Sequence, residues 1–375
     1  MKSTIITAFS TTTLAATLMV TAAAHGETPI DCPLRDEAYS VDTPLLDILL
    51  KPEARAVLEQ SLPGLIDRMP PHMARTEAPS FAAIMTARTA AGMAQLPSEN
   101  LEAMDNALGR LEVTDNDREA RCARYDVEVP DFDLSERQLN VLVFEKINGF
   151  HHGDAVTTAT ETLKNLAEKN DWGVAVTDRG GAMTPELLSQ FDVVVWNNVS
   201  GDVLTLTQRQ AFQDYIEAGG GYVGIHGSAG DLIYQWNWYA DTLLGARFQG
   251  HPMEPQFQEA RIDVEDREHI GHDLPAQWTL NEEWYSFHNN PRESGAHVVA
   301  TLDESTYVPE GHGGQDLRMG DDHPIVWANC VGDGRSFYSA IGHLPESYEE
   351  PHHVKLLEQG ISWAAGEGEA LCHSP

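Results

Sequence analysis

The 375-residue chain is poor in cysteine and in basic residues. None of its four cysteines, Cys32, Cys122, Cys330 and Cys372, stands in a Cys-x-x-Cys pair, which argues against a thiolate zinc site. Lysine and arginine together number 24, against 58 aspartate and glutamate residues, and the formal net charge is −34. Nucleic acids and anionic lipid surfaces are therefore not expected as partners.

Long apolar runs are also missing beyond the start of the chain. No later segment approaches the roughly 20 apolar residues that a membrane span needs, so no membrane association is expected. Residues 1–24 have a lysine near the start, an apolar and threonine-rich middle and an Ala-x-Ala ending, which is typical of a secretory signal peptide. The mature protein is therefore expected to be exported, to the periplasm or the extracellular space, where disulfides persist. Cys32 with Cys122 is the favoured pairing and Cys330 with Cys372 a weaker one, although other pairings remain open.

The chain beyond the signal peptide divides into two regions of different composition. Residues 25–130 contain short apolar patterns of helical period, most of them opened by a Ser, Thr or Pro start signal, and predict a small all-α accessory domain. An acidic linker, residues 131–138, leads into residues 139–366, where buried strands alternate with helices. This alternation predicts an α/β domain with a parallel sheet between layers of helices. Residues 367–375 form a C-terminal tail.

Polar side chains follow three of the predicted strands at the points where the strands end. His152 comes after "LNVLVF", Asn198 stands at the end of "FDVVVWNN", and His226 directly follows "GYVGI". Right-handed crossovers bring the carboxyl ends of parallel strands to one edge of the sheet, where ligands bind in folds of this kind. The sequence therefore predicts that these side chains share one site.

Further titratable and aromatic residues gather in loops of the second half of the chain. Thirteen of the 16 histidines lie between His151 and His353, so the chemistry is expected in the α/β region. Histidine serves as base, acid or metal ligand near neutral pH, and carboxylates pair with it. The loop residues that complete the candidate site are His251, Glu282, Glu283, Trp284, Tyr285, His323 and His343.

Several of these candidates also have a plain structural interpretation. His226 can be a buried histidine that closes a turn, and His323, which precedes a proline, can belong to ordinary turn chemistry. Asn198 can simply satisfy the backbone of a loop. Trp284 and Tyr285 can form a stacking wall for a sugar ring or pack in the core.

Six segments of the α/β region carry a recognisable pattern. They are "VLVFEKINGFHH", "FDVVVWNNVSGDVLTLTQRQAFQDYIEAGGGYVGIHGSA", "WNWYADTLLGARFQGHP", "NEEWYSF", "DHPIVW" and "GRSFYSAIGHLPESY". In this order they resemble the ThuA-like (trehalose utilisation) family, from about residue 139 to residue 366. The resemblance implies a fold similar to that of class I glutamine amidotransferases, a flavodoxin-like parallel sheet sandwiched by helices. It does not extend to the helical region.

The resemblance also bears on the turn that follows "GYVGI". In the amidotransferases this turn carries a nucleophilic cysteine, and His226 stands at that position here, so no amidotransferase activity is expected. Serine catalysis is disfavoured as well, because the glycine needed two residues before Ser228 is replaced by His226. Relatives commonly have arginine where this chain has His151. The positions that the resemblance places around the pocket are His152, Asn198, His226, His251, Glu283, Tyr285, His323 and His343.

These patterns together favour an exported enzyme of carbohydrate metabolism, a hydrolase or lyase acting on a glycoside or an oxidised sugar. His226, Glu283 and His152 are the predicted catalytic residues. His226, His251 and His343 are the predicted ligands of one divalent metal, for which zinc, manganese and iron(II) are suited. No nucleotide cofactor is expected.

The predicted partner is a small-molecule carbohydrate. The residues predicted to contact it are Asn198, Tyr285, Trp284 and His323. The alternative is a non-catalytic carbohydrate-binding or scaffolding protein, which would keep the pocket but show no turnover. An enzyme is favoured, because binding alone rarely needs so many titratable groups at strand ends.

Overall fold

The computed structural model describes Met1 and residues 29–93, 97–134 and 137–371. Apart from Met1, the predicted signal peptide lies outside the described residues, as does Cys372 of the predicted C-terminal tail. Among the helices of the described ranges, none combines the length and the apolar composition that crossing a membrane requires.

Short helices make up the chain before the first strand. In the described residues they are α1 (Leu45–Leu50), α2 (Pro52–Ser61), α3 (Leu65–Arg68), α4 (Ala87–Met93), α5 (Ser98–Leu108) and α6 (Asp115–Cys122). Their apolar faces form a hydrophobic cluster that is separate from the core of the α/β region. A disulfide joins Cys32 to Cys122, with Cα atoms 5.4 Å apart, and confirms the favoured cysteine pairing.

The α/β region begins with a strand and ends with a helix. Its strands are β1 (Asn140–Phe144), β2 (Gly173–Thr177), β3 (Val193–Asn197), β4 (Gly221–Ile225), β5 (Phe248–Gly250), β6 (Phe257–Val264), β7 (Gln277–Glu283), β8 (Ser286–Phe287), β9 (His297–Asp303), β10 (Pro324–Val331) and β11 (Gly334–Ser339). Its α-helices in the described residues are α7 (Asp154–Asn170), α8 (Pro185–Leu188), α9 (Leu206–Glu217) and α10 (Pro351–Ala364), and a π-helix spans Trp238–Leu244. β3 and β4 are buried along their whole length, as expected for strands with helices on both sides.

The main sheet of the described residues has nine strands in the order β2-β1-β3-β4-β11-β10-β9-β6-β7. The strands from β2 to β11 pair in parallel, and their order is that of a flavodoxin-like sheet. This arrangement confirms the predicted α/β fold with a preceding helical region. The strands from β10 to β7 continue the sheet in antiparallel pairing, a direction that the alternation of strands and helices did not indicate.

The direction of the strands determines which loops meet. Right-handed crossovers place α7 and α10 on one face of the sheet, where Lys169 Nζ lies 2.8 Å from Glu358 Oε1, and α8 and α9 on the other face. The carboxyl ends of β1, β3, β4 and β11 open at one edge. β7 runs in the same direction as β11, because four successive antiparallel pairings separate the two strands. Glu283, the last residue of β7, therefore reaches the same edge.

The helical region packs against the loop that joins β1 to α7. The backbone N–H of Ser80 donates a hydrogen bond to the carbonyl oxygen of Asn148, at 3.0 Å. The side-chain amide of Asn148 donates to the carbonyl oxygen of Asp202, at 2.6 Å. Phe81 packs edge-on against Phe150, with ring centroids 6.4 Å apart. The loop is thus held between the helical region and the end of β3.

Candidate functional site

Four titratable side chains converge where β1, β4, β7 and β11 end. His152 lies in the loop after β1, His226 directly follows β4, Glu283 ends β7, and His343 lies in the loop after β11. Their potential ligand atoms all lie within 4.8 Å of one another. The ring centroid of His152 is 4.9 Å from that of His226 and 4.8 Å from that of His343. We refer to this group as the histidine–glutamate cluster.

His226 has a fixed ring orientation and an unpaired ring nitrogen. It adopts a left-handed backbone conformation, with φ of +38°, at the start of the 3₁₀ turn His226–Ala229. Its Nδ1 lies 2.7 Å from the carbonyl oxygen of Ala340, which can only accept, so Nδ1 carries a proton. In the neutral ring Nε2 is then unprotonated, and it is buried without a hydrogen-bond partner. The ring stacks on Tyr285, with centroids 4.1 Å apart.

Glu283 is a buried carboxylate surrounded by polar side chains. Its Oε1 accepts a hydrogen bond from Gln256 Nε2 at 2.5 Å, and its Oε2 accepts one from His343 Nδ1 at 2.9 Å. His226 Nε2 approaches Oε2 to 3.4 Å without the alignment of a hydrogen bond. Burial acts to raise the pKa of Glu283, but the imidazoles of His226 and His343 outweigh it and hold this pKa well below its usual range. Glu283 is therefore ionised at neutral pH.

The pKa values of the two other histidines shift in opposite directions. Burial lowers the pKa of His152 well below its usual value, and the neighbouring imidazoles add to this effect, so His152 is neutral. Burial also acts to lower the pKa of His343, but its hydrogen bond to Glu283 more than compensates, and the pKa is raised. The side chain of His343 is 15% exposed, which makes it a point where solvent reaches the cluster.

The cluster offers the donor set of a divalent transition metal. Three imidazole nitrogens and a carboxylate oxygen within 4.8 Å of one another are ligands that zinc, manganese and iron(II) accept. Two of the nitrogens, His226 Nε2 and His152 Nδ1, are buried without hydrogen-bond partners, which is costly for polar atoms. A cation would satisfy both nitrogens and balance the charge of Glu283. The residues present therefore fit a metal ion.

Glu282 fastens the loop that carries His343. Its Oε2 accepts hydrogen bonds from the backbone N–H of Gly342 at 3.2 Å, from that of Leu344 at 3.3 Å, and from the Ser347 hydroxyl. Burial raises the pKa of Glu282. The sequence placed Glu282 among the candidates without a role of its own. Consecutive side chains of a strand point to opposite sides. This alternation is the sequence signal that distinguishes Glu282 from Glu283.

Asn198 secures the turn after β4. It is completely buried, its Oδ1 accepts from the N–H of Gly227 at 3.2 Å, and its Nδ2 donates to the Tyr348 hydroxyl at 2.8 Å. Both ends of the amide are thus occupied within the protein, and the contact with substrate stays a prediction. A Cβ at Gly227 would lie 2.6 Å from His152 Cε1, so glycine is needed for the two loops to approach this closely.

Two further residues predicted to contact substrate, His323 and Trp284, make hydrogen bonds within the protein. His323 is completely buried, with Nδ1 2.8 Å from Glu304 Oε1 and Nε2 2.8 Å from the carbonyl oxygen of Tyr285. Trp284 is also completely buried, and its indole N–H donates to the carbonyl oxygen of Gln258 at 2.8 Å. Neither side chain presents a surface to a ligand. His323 positions the backbone of Tyr285, and Trp284 packs in the core.

Tyr285 and His251 lie beside the cluster. The Tyr285 hydroxyl is 3.4 Å from His152 Nε2. His251 is 25% exposed, and its Nδ1 is 2.9 Å from the carbonyl oxygen of Pro252 and 3.2 Å from Glu283 Oε1. His251, predicted as a metal ligand, is not one of the four cluster residues, whereas His152, predicted as catalytic, is one of them.

Two phenylalanines that the sequence did not single out border the cluster. The ring of Phe150 is 4.8 Å from that of His152 and 6.2 Å from that of His343. The ring of Phe257 is 5.1 Å from that of His343. Phe150 precedes a histidine pair in a strand-end loop, which was a usable signal. Phe257 had no such signal, because it is the first residue of β6 and does not follow the end of a parallel strand.

The fold and the site together define the class of protein. A flavodoxin-like sheet carries a histidine, instead of a nucleophile, at the turn after β4. The chain matches the family model ThuA, described as trehalose utilisation, over residues 140–364. The protein therefore belongs to the ThuA family, which confirms the resemblance drawn from the sequence.

Solved structures with a similar fold include two ThuA-like proteins. The one from Bacteroides uniformis is 25% identical, with a TM-score of 0.53, and the match covers 64% of this chain and 96% of that one. The one from Parabacteroides merdae is 17% identical, with a TM-score of 0.46, over 63% of this chain and 93% of that one. A glutamine amidotransferase from Thermotoga maritima is 12% identical, with a TM-score of 0.37, over 62% and 100% respectively. No curated protein matches the chain.

Proposed function

We propose that this ThuA-family protein is an exported, metal-dependent enzyme of carbohydrate metabolism that acts on a glycoside or an oxidised sugar. The observation that carries the proposal is the buried His226 Nε2, which faces the Glu283 carboxylate at 3.4 Å without a hydrogen bond. The description of the family, trehalose utilisation, supports a sugar substrate. The signal-like start of the sequence and the Cys32–Cys122 disulfide support export.

His152, His226, Glu283 and His343 would hold one divalent cation. The hydrogen bond from Nδ1 to Ala340 keeps His226 Nε2 available as a ligand, in the way that outer partners orient metal-binding histidines. His343 would give up the proton that it shares with Glu283, so metal binding would release a proton. When bound, the cation supplies polarisation of a carbonyl or leaving-group oxygen.

His251 is placed to transfer a proton at the edge of the cluster. Its Nδ1 is near two acceptors, the carbonyl oxygen of Pro252 and Glu283 Oε1, so Nδ1 is protonated and Nε2 can accept a proton from substrate. This role replaces the metal ligation predicted from the sequence. Phe150 and Phe257 supply apolar ring faces beside the cluster for the C–H groups of a sugar.

The first test is metal content, measured by mass spectrometry on protein purified without a metal-affinity tag. Wild type is compared with His226→Ala and with His352→Ala, which removes a histidine paired to Glu350 outside the cluster. We expect His226→Ala to lose about one metal equivalent and His352→Ala to lose none. Equal metal content in all three proteins, or no metal in wild type after soaking and exchange, would rule out the metal site.

Turnover is tested with a panel of glycosides and oxidised sugars, with and without zinc, manganese and iron(II). Glu283→Gln keeps the shape of the side chain and removes its charge, so we expect turnover to fall by at least about 100-fold. If wild type binds sugars but converts none of them with any metal, the protein is a carbohydrate-binding protein and not an enzyme.

A further inference from the structure

We infer that a second divalent-cation site, for zinc, lies at the opposite edge of the sheet and is formed by Asp266, His269 and His297. Their potential ligand atoms all lie within 4.8 Å of one another. Asp266 and His269 belong to the turn after β6, and His297 is the first residue of β9. Two imidazoles and one carboxylate are a common zinc donor set that leaves a position for water. The site shares no residue with the histidine–glutamate cluster and does not rest on the proposed function.

The turn that carries Asp266 is already held in place by the protein. The backbone N–H of Asp266 donates to the carbonyl oxygen of Val299 in β9, at 3.3 Å. The carboxylate accepts hydrogen bonds from the backbone N–H of His269 at 3.0 Å and from that of Ile270 at 2.9 Å. A Cβ at Gly271 would collide with the carbonyl oxygen of Asp266, so the turn needs glycine there. An ion would therefore bind a carboxylate whose position is already fixed by the protein.

Among the residues that the structure describes, the buried carboxylate of Asp266 has no lysine or arginine partner. Its side chain is 2% exposed, and in the described part of the chain its ion-pair partners are the two imidazoles. His269 Nδ1 lies 3.0 Å from Oδ1, and His297 Nε2 lies 3.1 Å from Oδ2. His297 Nε2 is nevertheless buried without a hydrogen-bond partner. A buried negative charge beside an unsatisfied nitrogen is an arrangement that a cation resolves.

The spacing and the exposure of the three residues suit zinc. Ligand atoms around a tetrahedral zinc ion lie about 3.3 Å apart. Each imidazole nitrogen is already close to this distance from one oxygen of Asp266, at 3.0 Å from Oδ1 and 3.1 Å from Oδ2. The side chains of His269 and His297 are 37% and 31% exposed, which gives an ion a route from solvent. The bound ion would tie the turn after β6 to the start of β9.

The test is the stoichiometry of Zn²⁺ binding, measured by calorimetric titration of the EDTA-treated, untagged mature protein. We expect about two equivalents for wild type, about one for His297→Asn and about one for His226→Ala, and none for the double variant. His272→Ala is the matched control, because His272 is an exposed histidine near this turn and outside the group of three. It should bind about two equivalents.

Other outcomes separate this inference from the proposed function. If His297→Asn lowers the stoichiometry and His226→Ala does not, the second site stands and the cluster fails as a metal site. If wild type and His297→Asn bind the same number of ions, the second site is ruled out. Should His297→Asn not fold, as judged by circular dichroism, His269→Asn at the more exposed ligand provides the same comparison.

Discussion

At the scale of single residues, His226 stands in a backbone conformation that side-chain-bearing residues seldom adopt. Its φ of +38° brings Cβ close to the following carbonyl oxygen, at a cost of about 1–2 kcal/mol. Asn198, with φ of +54°, adopts the same region and binds the N–H of Gly227 in the His226 turn. The ring of His226 offsets the strain by bonding to Ala340 and stacking on Tyr285. Strain of this kind concentrates at functional sites, where the surrounding structure maintains it.

Asp231 is a buried carboxyl group whose titration should be visible in the stability of the protein. Burial raises its pKa to about 7, although hydrogen bonds from the Ser200 hydroxyl and the Gly201 N–H act to lower it. Between about pH 4 and pH 7 the folded protein keeps a proton here that the unfolded chain has lost. The contribution of Asp231 to stability is therefore full at low pH and declines as the pH rises through this window.

Asp231→Asn should remove this decline, because the amide stays neutral. We expect the variant to gain stability relative to wild type between pH 4 and pH 7.5, by on the order of 1–3 kcal/mol. Urea unfolding followed by circular dichroism at both pH values measures the difference. Asp321→Asn, at an exposed aspartate, is the control and should follow wild type. A difference between Asp231→Asn and wild type that does not change with pH would show that Asp231 does not titrate in this range.

At the scale of elements, the helical region contributes to the site through the 3₁₀ turn Phe81–Ile84. Phe81 packs on Phe150 with centroids 6.4 Å apart, and Phe150 packs on His152 at 4.8 Å. The family model begins at residue 140, so this contact comes from outside the matched region. The helical region therefore supports the loop that carries one member of the histidine–glutamate cluster.

Phe81→Ala should loosen this support. We expect Zn²⁺ binding at the histidine–glutamate cluster to weaken by about 3- to 10-fold, because outer residues orient the ligands. Phe132→Ala is the matched control, because Phe132 packs on Phe191, with centroids 5.8 Å apart, and not on the loop. Calorimetric titration of both variants measures the change. Equal affinities in the two variants would mean that the helical region does not support the cluster.

The parallel and the antiparallel strands differ in how far the sequence could predict them. The parallel strands were predictable, because each is a short apolar run followed by a helix. The place of the antiparallel half was not predictable. It joins the parallel half through the parallel pairing of β11 with β4, and within it β6 pairs with β9, and both pairings bring together segments far apart in the chain. The apolar periodicity of a strand predicts which of its side chains face the core, but it does not predict which strands pair with it. Glu283 lies at the edge of the sheet where β4 ends because of these strand pairings.

Within the site, strand ends and the family resemblance together identified His152, His226, Glu283 and His343 as candidates. Which of them meet could not be predicted, because the paths of the loops decide it. The burial of Trp284 follows from the alternation of side chains along a strand. Consecutive residues at the end of a strand point to opposite sides, so Glu283 faces the cluster while Trp284 faces the core.

At the scale of the whole molecule, the sheet separates two groups of side chains that offer ligand atoms for a metal. The histidine–glutamate cluster lies at the edge where the parallel strands end, and Asp266, His269 and His297 lie at the opposite edge. The formal net charge of −34 favours the approach of cations to both edges. The histidine–glutamate cluster is more deeply buried than the second group and has four potential ligands instead of three. These features suit the cluster to chemistry in a site shielded from water.

Metal binding at the histidine–glutamate cluster can be measured most directly by anomalous X-ray scattering at the zinc absorption edge, from crystals grown with Zn²⁺. We predict a peak at about 2.0–2.2 Å from His226 Nε2 and from a carboxylate oxygen of Glu283, with His152 and His343 completing the coordination. A map without a peak at this position, in which His226 Nε2 is hydrogen-bonded directly to Glu283, would contradict it.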